Sequence, residues 1–112
     1  PVLNLPISPV VKASSGFQFD IIKDYIETFQ QSLDDNHDVG MMLTNFGSSV
    51  LMSVTEVGYE DPALMIFKGY VNGNMSTLIQ HISQLNFLLT AVPKAPEIPK
   101  RRIGFTAGRD EE

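Results

Sequence analysis

The chain is poor in several residues on which common protein chemistries depend. Its 112 residues include no cysteine, no tryptophan and only two histidines. Without cysteine, disulfides and thiolate zinc sites are excluded. Its apolar runs are far shorter than the 18 or more residues that a membrane-spanning helix needs. No secretory signal pattern precedes Phe17, so we expect a single small cytosolic domain that does not enter membranes.

Positive charge is also scarce, and it is unevenly distributed. The chain carries 8 Lys and Arg against 13 Asp and Glu, for a net charge of -5. Residues 1–93 hold nine acidic and three basic residues, whereas all three arginines lie in the last twelve positions. The phosphate field of DNA or RNA repels an acidic body without a broad basic stripe. We therefore predict no nucleic-acid partner, and we interpret the basic arm as a contact for one specific anion.

Composition divides the chain into three segments. Residues 1–16 are rich in proline, serine and glycine, which is typical of an extended lead. Residues 17–94 carry the periodic apolar pattern of one α-β-β-β-α domain. Residues 95–112 form a C-terminal basic arm and tail.

Two segments have the periodicity of amphipathic helices. Apolar residues recur at three- and four-residue steps over 17–33 and again over 76–92. Thr77 and Gln80 have the spacing of a capping box at the start of the second helix. The preceding Asn72-Gly73-Asn74 leads into a helix N-terminus, where unpaired N–H groups favour an anion, although ordinary turn and cap chemistry explains it as well.

Three strand-like runs lie between these helices. They cover 38–46, 49–57 and 64–71, and Gly47-Ser48 suits a two-residue hairpin turn between the first two. The predicted fold is α+β with two layers: an antiparallel meander of three to four strands with two helices on one face. The opposite face is also apolar, which predicts a subunit interface and hence an oligomer.

Few residues could support catalysis. His37 lies in Asp34-Asp35-Asn36-His37-Asp38, which is better interpreted as a structural turn than as a metal site. His81 could hydrogen-bond a ligand or a carbonyl of a neighbouring subunit. No glycine-rich phosphate loop opens a helix. We predict no enzyme activity, no cofactor and no metal, and a small hydrolase using His81 is the weakest alternative.

Two other patterns could bind a ligand. One stripe of the predicted second helix consists of Gln80, Gln84 and Phe87. Its amides could hydrogen-bond a nucleobase on which the ring stacks, or the stripe could contact another helix or subunit. In the arm, the guanidinium groups between Lys100 and Phe105 can each donate two hydrogen bonds to phosphate oxygens. The alternative for the arm is a solvated tail, but Ile103 and Phe105 alternate as in an added edge strand.

Four segments carry a resemblance to a known family. The chain resembles the phage anti-defence "sponge" proteins that counter the Thoeris system, over residues 17–105 and through segments 32–41, 57–59, 77–85 and 99–105. Members are small oligomers that bind a glycocyclic ADP-ribose signal without cleaving it, and some hold cyclic trinucleotides at a separate site. The resemblance implies that this chain blocks the Thoeris effector by sequestering such a signal in the cytoplasm of the infected host.

The resemblance also implies roles for particular residues and a homodimer or larger assembly, up to a hexamer. Its implied ligand contacts are Arg101 and Arg102 for the diphosphate, Phe87, Gln84, His81 and Asn86 for base and ribose, Met75 and Thr77 at a helix start, and Gly40 at the trinucleotide site. The alternative function is a phage protein-protein adaptor or structural protein that docks through its apolar sheet face.

Overall fold

The computed structural model of the chain describes residues 14–43 and 49–106. Within these ranges lie one helix, α1, and six strands that form one sheet. In chain order the elements are α1 Ser15–Gln31, β1 His37–Leu43, β2 Val50–Glu60, β3 Leu64–Val71, β4 Asn74–His81, a 3₁₀ turn Ile82–Gln84, β5 Phe87–Pro93 and β6 Gly104–Thr106. A small α+β domain is therefore confirmed. The predicted Gly47-Ser48 turn and residues 1–13 of the lead lie outside the described residues.

Helix α1 confirms the first predicted helix, with both ends two residues earlier. The Ser14 side chain accepts a hydrogen bond from the backbone N–H of Phe17 at 3.3 Å, which satisfies one of the free donors at the helix start. Phe19 and Ile26 are buried against the sheet. Ser15 and Gly16, which the sequence assigned to the extended lead, therefore belong to α1.

The predicted second helix is wrong, because residues 76–92 belong to two strands and a 3₁₀ turn. Asn72 and Gly73 have φ angles of 52° and 81°, the left-handed pair that turns β3 tightly back into β4. Strand β4 then pairs with β3 along its whole length. There is accordingly no capping box formed by Thr77 and Gln80, and no helix N-terminus to bind an anion at this point.

The sheet extends the predicted meander on both sides. Its strand order is β4-β3-β2-β1-β5 with antiparallel neighbours, so the β1-β2-β3 meander is confirmed, while the predicted two helices and three to four strands are wrong. Strand β2 is long enough to have two neighbours on one side. Its residues 50–52 pair with β1, and its residues 56–58 pair with β6 in parallel, on either side of a bulge between Val54 and Glu56.

The two faces of the sheet differ. The core lies on the side of α1, where Phe67, Met65 and Val57 are fully buried. The connection through the 3₁₀ turn adds partly buried Ile82 and Leu85 to this core. The opposite face, called the open face below, carries exposed large apolar residues: Leu51, Tyr70, Met75, Ile79 and Leu88. In the described part of the chain, no helix is long and apolar enough to cross a membrane.

Candidate ligand-binding site

The basic arm is built into the fold. The Lys100 ammonium donates to the carbonyl oxygens of Leu33 and Asp34, at 3.1 and 2.8 Å, just beyond the end of α1. The backbone N–H of Ile103 donates to Gln30 Oε1 at 3.1 Å, and the Ile103 side chain is buried. The next three residues form β6, which confirms the predicted added strand. A solvated tail does not describe residues 100–106.

Of the two arginines that the structure describes, Arg101 lines a cavity. Its Nη1 donates to Ser53 Oγ at 2.6 Å, and its backbone N–H donates to Asp38 Oδ1 at 3.1 Å. The cavity, called the arginine cavity below, has a volume of about 300 Å³ and lies between β1, β2, β5 and the segment that follows β5. Gly40 and Lys94 also line it. The structure thus brings together Arg101 and Gly40, for which the family resemblance implied separate sites.

The charges around the arginine cavity favour an anion. A guanidinium has five N–H donors, and Ser53 takes one of those of Arg101. Lys94 contributes a second cation, whose Nζ donates to Ile98 O at 2.8 Å. Among the described lining residues the one carboxylate is that of Asp38, which accepts the Arg101 backbone N–H. Both arginines are exposed, but Arg102 is not part of this lining, so the two adjacent side chains have different surroundings.

Gly40 allows the wall of this cavity to close. A Cβ at this position would lie 2.5 Å from Val92 Cγ2 and 3.1 Å from Leu51 Cδ1. Real side chains do not approach so closely, so glycine is needed for β5 and β2 side chains to meet over β1. Gly40 shapes the cavity through this close packing.

A second cavity is lined by uncharged polar side chains. It has a volume of about 590 Å³, lies beside β4 and the 3₁₀ turn, and is called the amide cavity below. Its lining residues are Leu78, Ile79, Gln80, Ser83, Gln84, Leu85 and Asn86, none of which is charged. Gln80 is only 8% exposed, and its Oε1 has no hydrogen-bond partner among the described residues. An unpaired buried amide of this kind costs about 1–3 kcal/mol.

The other predicted contacts are dispersed. His81 closes β4, where its Nδ1 accepts the backbone N–H of Ser83 at 3.2 Å and lies 2.9 Å from Ser83 Oγ. Phe87 packs edge-on against the core residue Phe67, with ring centroids 5.5 Å apart. The predicted helical stripe of Gln80, Gln84 and Phe87 is therefore wrong, because these residues lie on a strand, a turn and another strand. Met75 and Thr77 are exposed on β4 and line neither cavity.

The sequence interpretation did not identify Ser53 and Lys94 as neighbours of Arg101. Neither carried a motif, because the tertiary fold brings Ser53 of β2 and Lys94, just after β5, to the same cavity. Gln80 was interpreted as half of a capping box and as part of a helical stripe that could contact a base, whereas it lies in β4 and lines the second cavity. The Asn72-Gly73 pair could have revealed this, because it predicts a hairpin whose second strand contains Gln80.

The acidic turn at His37 is held by local contacts. His37 Nδ1 lies 2.8 Å from Asp34 Oδ1. This contact, together with the backbone N–H of Asn36, holds the pKa of Asp34 below its ordinary value. No group of three or more metal-ligating side chains occurs among the described residues.

Comparison with known proteins places the chain in a family. Residues 18–106 match DUF6173, which is described as a family of unknown function. The chain belongs to this family. No curated protein and no solved structure matches the chain. The matched range contains the linings of both cavities. The resemblance to the sponge proteins stays a prediction.

Proposed function

We propose that the chain is a non-enzymatic phage anti-defence protein that sequesters a cyclic ADP-ribose-type signal, so that the bacterial Thoeris effector is not activated. Cyclic oligonucleotides are the second ligand class that the resemblance suggests. The observation that carries the proposal is the placement of Arg101, whose guanidinium is held at the wall of a cavity by a strand-forming arm.

The Arg101 contact suits a diphosphate. Its backbone and side chain are both hydrogen-bonded, so little conformational freedom remains to be lost when a ligand binds. Hydrogen bonds to charged groups contribute about 1.5–3 kcal/mol each. Lys94, across the same cavity, adds to the positive potential. The anion is thus held at a prepared position rather than by a mobile tail.

The size of the ligand supports an oligomer. A cyclic ADP-ribose isomer has roughly 36 non-hydrogen atoms, and at about 0.3 kcal/mol per atom its binding free energy reaches roughly 11 kcal/mol only when most of its surface is covered. The arginine cavity is small, and no residue lines both it and the amide cavity. We infer that a second subunit completes the enclosure. The exposed apolar residues of the open face support a homodimer or larger assembly.

The first experiment identifies the ligand. The protein is purified from cells that produce the signal, denatured by heat, and the released small molecules are analysed by mass spectrometry. We expect an intact cyclic nucleotide, and the same compound should raise the melting temperature of the ligand-free protein. Recovery of a cleaved product would instead indicate an enzyme and contradict the proposal.

The second experiment tests the role of Arg101. Arg101→Ala should weaken binding by roughly 10- to 150-fold, since about 1.5–3 kcal/mol is lost. Arg102→Ala removes the same charge from the neighbouring side chain, which does not line the cavity, and is the matched control, for which we expect less than about a threefold change. Affinities can be measured by isothermal titration calorimetry. Equal losses in both variants would mean that the net charge of the arm, and not the cavity, binds the anion.

A protein-protein adaptor is the second candidate function. It is favoured by the open face, where Met75, Ile79 and Leu88 are each more than half exposed. Light scattering on the purified protein separates the two possibilities. A monomer that carries no nucleotide and binds one defined host or virion protein, with binding lost in Ile79→Lys, would support the adaptor. A nucleotide-containing oligomer would support sequestration.

A further inference from the structure

Strand β4 is an edge of the sheet that nothing in its sequence protects. It is the last strand in the order β4-β3-β2-β1-β5, and no strand among the described residues pairs with its outer side. Edge strands are usually protected by a charged side chain, a proline or a bulge, which prevents pairing with another chain. The eight residues Asn74–His81 include no Lys, Arg, Asp, Glu or Pro, and the β3–β4 register is unbroken. Strand β4 is therefore open to the addition of a further strand.

The backbone groups of β4 alternate between β3 and the free edge. Directly after the last β3–β4 pair, the Ile82 N–H donates to Ala63 O at 2.8 Å. In an antiparallel ladder every second residue bonds to the same neighbouring strand. The even-numbered residues of β4 therefore direct their N–H and C=O groups towards β3, and the odd-numbered residues direct theirs outward. The outward-directed residues within the strand are Met75, Thr77 and Ile79.

This edge is complementary to a second copy of itself. When two β4 strands run antiparallel about a two-fold axis at Thr77, the outward-directed residues of one strand bond to those of the other. Met75 then lies beside Ile79 of the partner subunit. These two side chains are 84% and 60% exposed in the single chain, so their contact removes apolar surface from water on both sides of the axis. Thr77 meets its own copy at the axis, and threonine pairs across strands are favourable.

The amide cavity lies beside one end of this edge. In the same register, Asn74 of the partner subunit lies opposite Gln80, which lines the cavity. The turn after β4 contributes Ser83, Gln84 and Asn86 to the lining, and the volume of about 590 Å³ leaves space for a chain that enters the pairing there. Amide and hydroxyl groups both donate and accept hydrogen bonds, so they can satisfy the polar groups of such a chain. The uncharged polar lining therefore suits the start of a partner strand.

We propose that two copies of the chain pair antiparallel through the free edges of β4, with Thr77 at the two-fold axis, so that their sheets join into one continuous sheet. The arginine cavity is lined from β1, β2, β5 and the segment after β5, so this pairing leaves it accessible. The interface is a different one from the open-face contact, and it forms in the ligand-free protein. Its test is therefore independent of the proposed ligand.

Amide hydrogen exchange of the ligand-free protein, followed by NMR, tests the pairing. The N–H groups of Met75, Thr77 and Ile79 should exchange at least about tenfold more slowly at high protein concentration than on dilution, because they are bonded to the partner only in the paired form. The even-numbered residues of β4 are the internal control, since their N–H groups bond to β3 in both forms. Fast exchange of the three outward N–H groups at every concentration would overturn the inference. Protection that appears only when a different protein is added would also overturn it.

Variants at the axis provide a second test. Thr77→Pro removes the outward N–H but leaves the bonds to β3, and an edge strand tolerates proline where its N–H faces away from the sheet. We expect it to lower the mass measured by light scattering by about half. If Thr77→Pro does not fold, Thr77→Lys provides the same test, because like charges would meet at the axis. Thr28→Lys makes the same change at an exposed position of α1 and should leave the mass unchanged. A monomeric wild type, or an unchanged mass in the Thr77 variants, would overturn the inference.

Discussion

Replacing Ile103 by alanine should detach the basic arm while the rest of the domain stays folded. Ile103 is 7% exposed, and its N–H donates to Gln30 Oε1 of α1, so it is the buried apolar residue of the arm nearest to the arginines. Ile→Ala at buried sites costs about 2–5 kcal/mol. The arm is a terminal segment that can relax locally, so we take the lower part of this range, about 2–3 kcal/mol.

Limited trypsin digestion measures this change directly. Lys100, Arg101 and Arg102 are consecutive cleavage sites, but a protease cuts a segment only when it opens. If opening and closing are fast, a loss of about 2–3 kcal/mol raises the cleavage rate by roughly 30- to 150-fold. Mass spectrometry of the fragments locates the cuts, and far-UV circular dichroism shows whether the domain stays folded.

Ile98→Ala is the matched control for this experiment. It makes the same chemical change in the same arm, but Ile98 is 48% exposed, so we expect cleavage within about threefold of the wild type. Cleavage of Ile103→Ala at the wild-type rate would refute the reasoning, because it would show that Ile103 does not hold the arm. A loss of the whole circular dichroism spectrum would refute the local character of the effect.

Two further changes test the sheet and the acidic turn. Gly69→Ala should lower the free energy of unfolding, measured by urea denaturation, by about 3 kcal/mol or more, because the new Cβ would lie 2.1 Å from Ser53 O. Gly104→Ala is the control and should change it little, because the atom nearest to its Cβ would be 3.7 Å away. Similar urea midpoints for the two variants would contradict this prediction. Asp34→Asn removes a carboxylate whose pKa is lowered from 3.8, chiefly by the His37 hydrogen bond. Because folding lowers this pKa, the ionised carboxylate stabilises the folded state above pH 3.8, and this stabilisation is lost as the pH falls below that value. The melting temperatures of wild type and variant should therefore differ near pH 6 and converge at lower pH. A difference that stayed constant with pH would count against the contact.

The parts of the fold that the sequence predicts correctly have unambiguous periodicity. Helix α1 follows from apolar residues at three- and four-residue steps, and the meander follows from runs bounded by turn residues. The alternation of Ile103 and Phe105 predicts the added strand, and β6 contains Phe105 while Ile103 directly precedes it. In each case the local pattern and the tertiary packing favour the same conformation.

The error at residues 76–92 comes from a pattern that fits two conformations. Leu78, Ile82, Leu85, Leu89 and Val92 have helical spacing, yet short apolar runs do not distinguish a helix from strands. The decisive signal was Asn72-Gly73, whose positive φ angles turn the chain back along β3. Once that hairpin forms, Met75, Thr77 and Ile79 alternate on one face of β4.

The cavities were predictable only in part. Arg101 and Gly40 were selected for separate reasons, and they meet because the arm returns to the sheet beside β1. Ser53, which hydrogen-bonds the guanidinium, lies in β2 and has no local sequence signature. Phe87 was assigned to stacking on a base, although its ring is used in the core against Phe67. Residue types indicate possible chemistry, and the sheet topology decides which residues meet.

The sharing of one side of β2 between β1 and β6 has a consequence for folding kinetics. The pairs Glu56 with Gly104 and Val57 with Phe105 join positions far apart in the sequence, and such contacts form late because a long loop must close first. Arg101 reaches Ser53 only when this loop has closed. We therefore expect a partly folded chain to form its central strands before the contact between Arg101 and Ser53, so that binding of the proposed ligand would recover only in the last step of refolding.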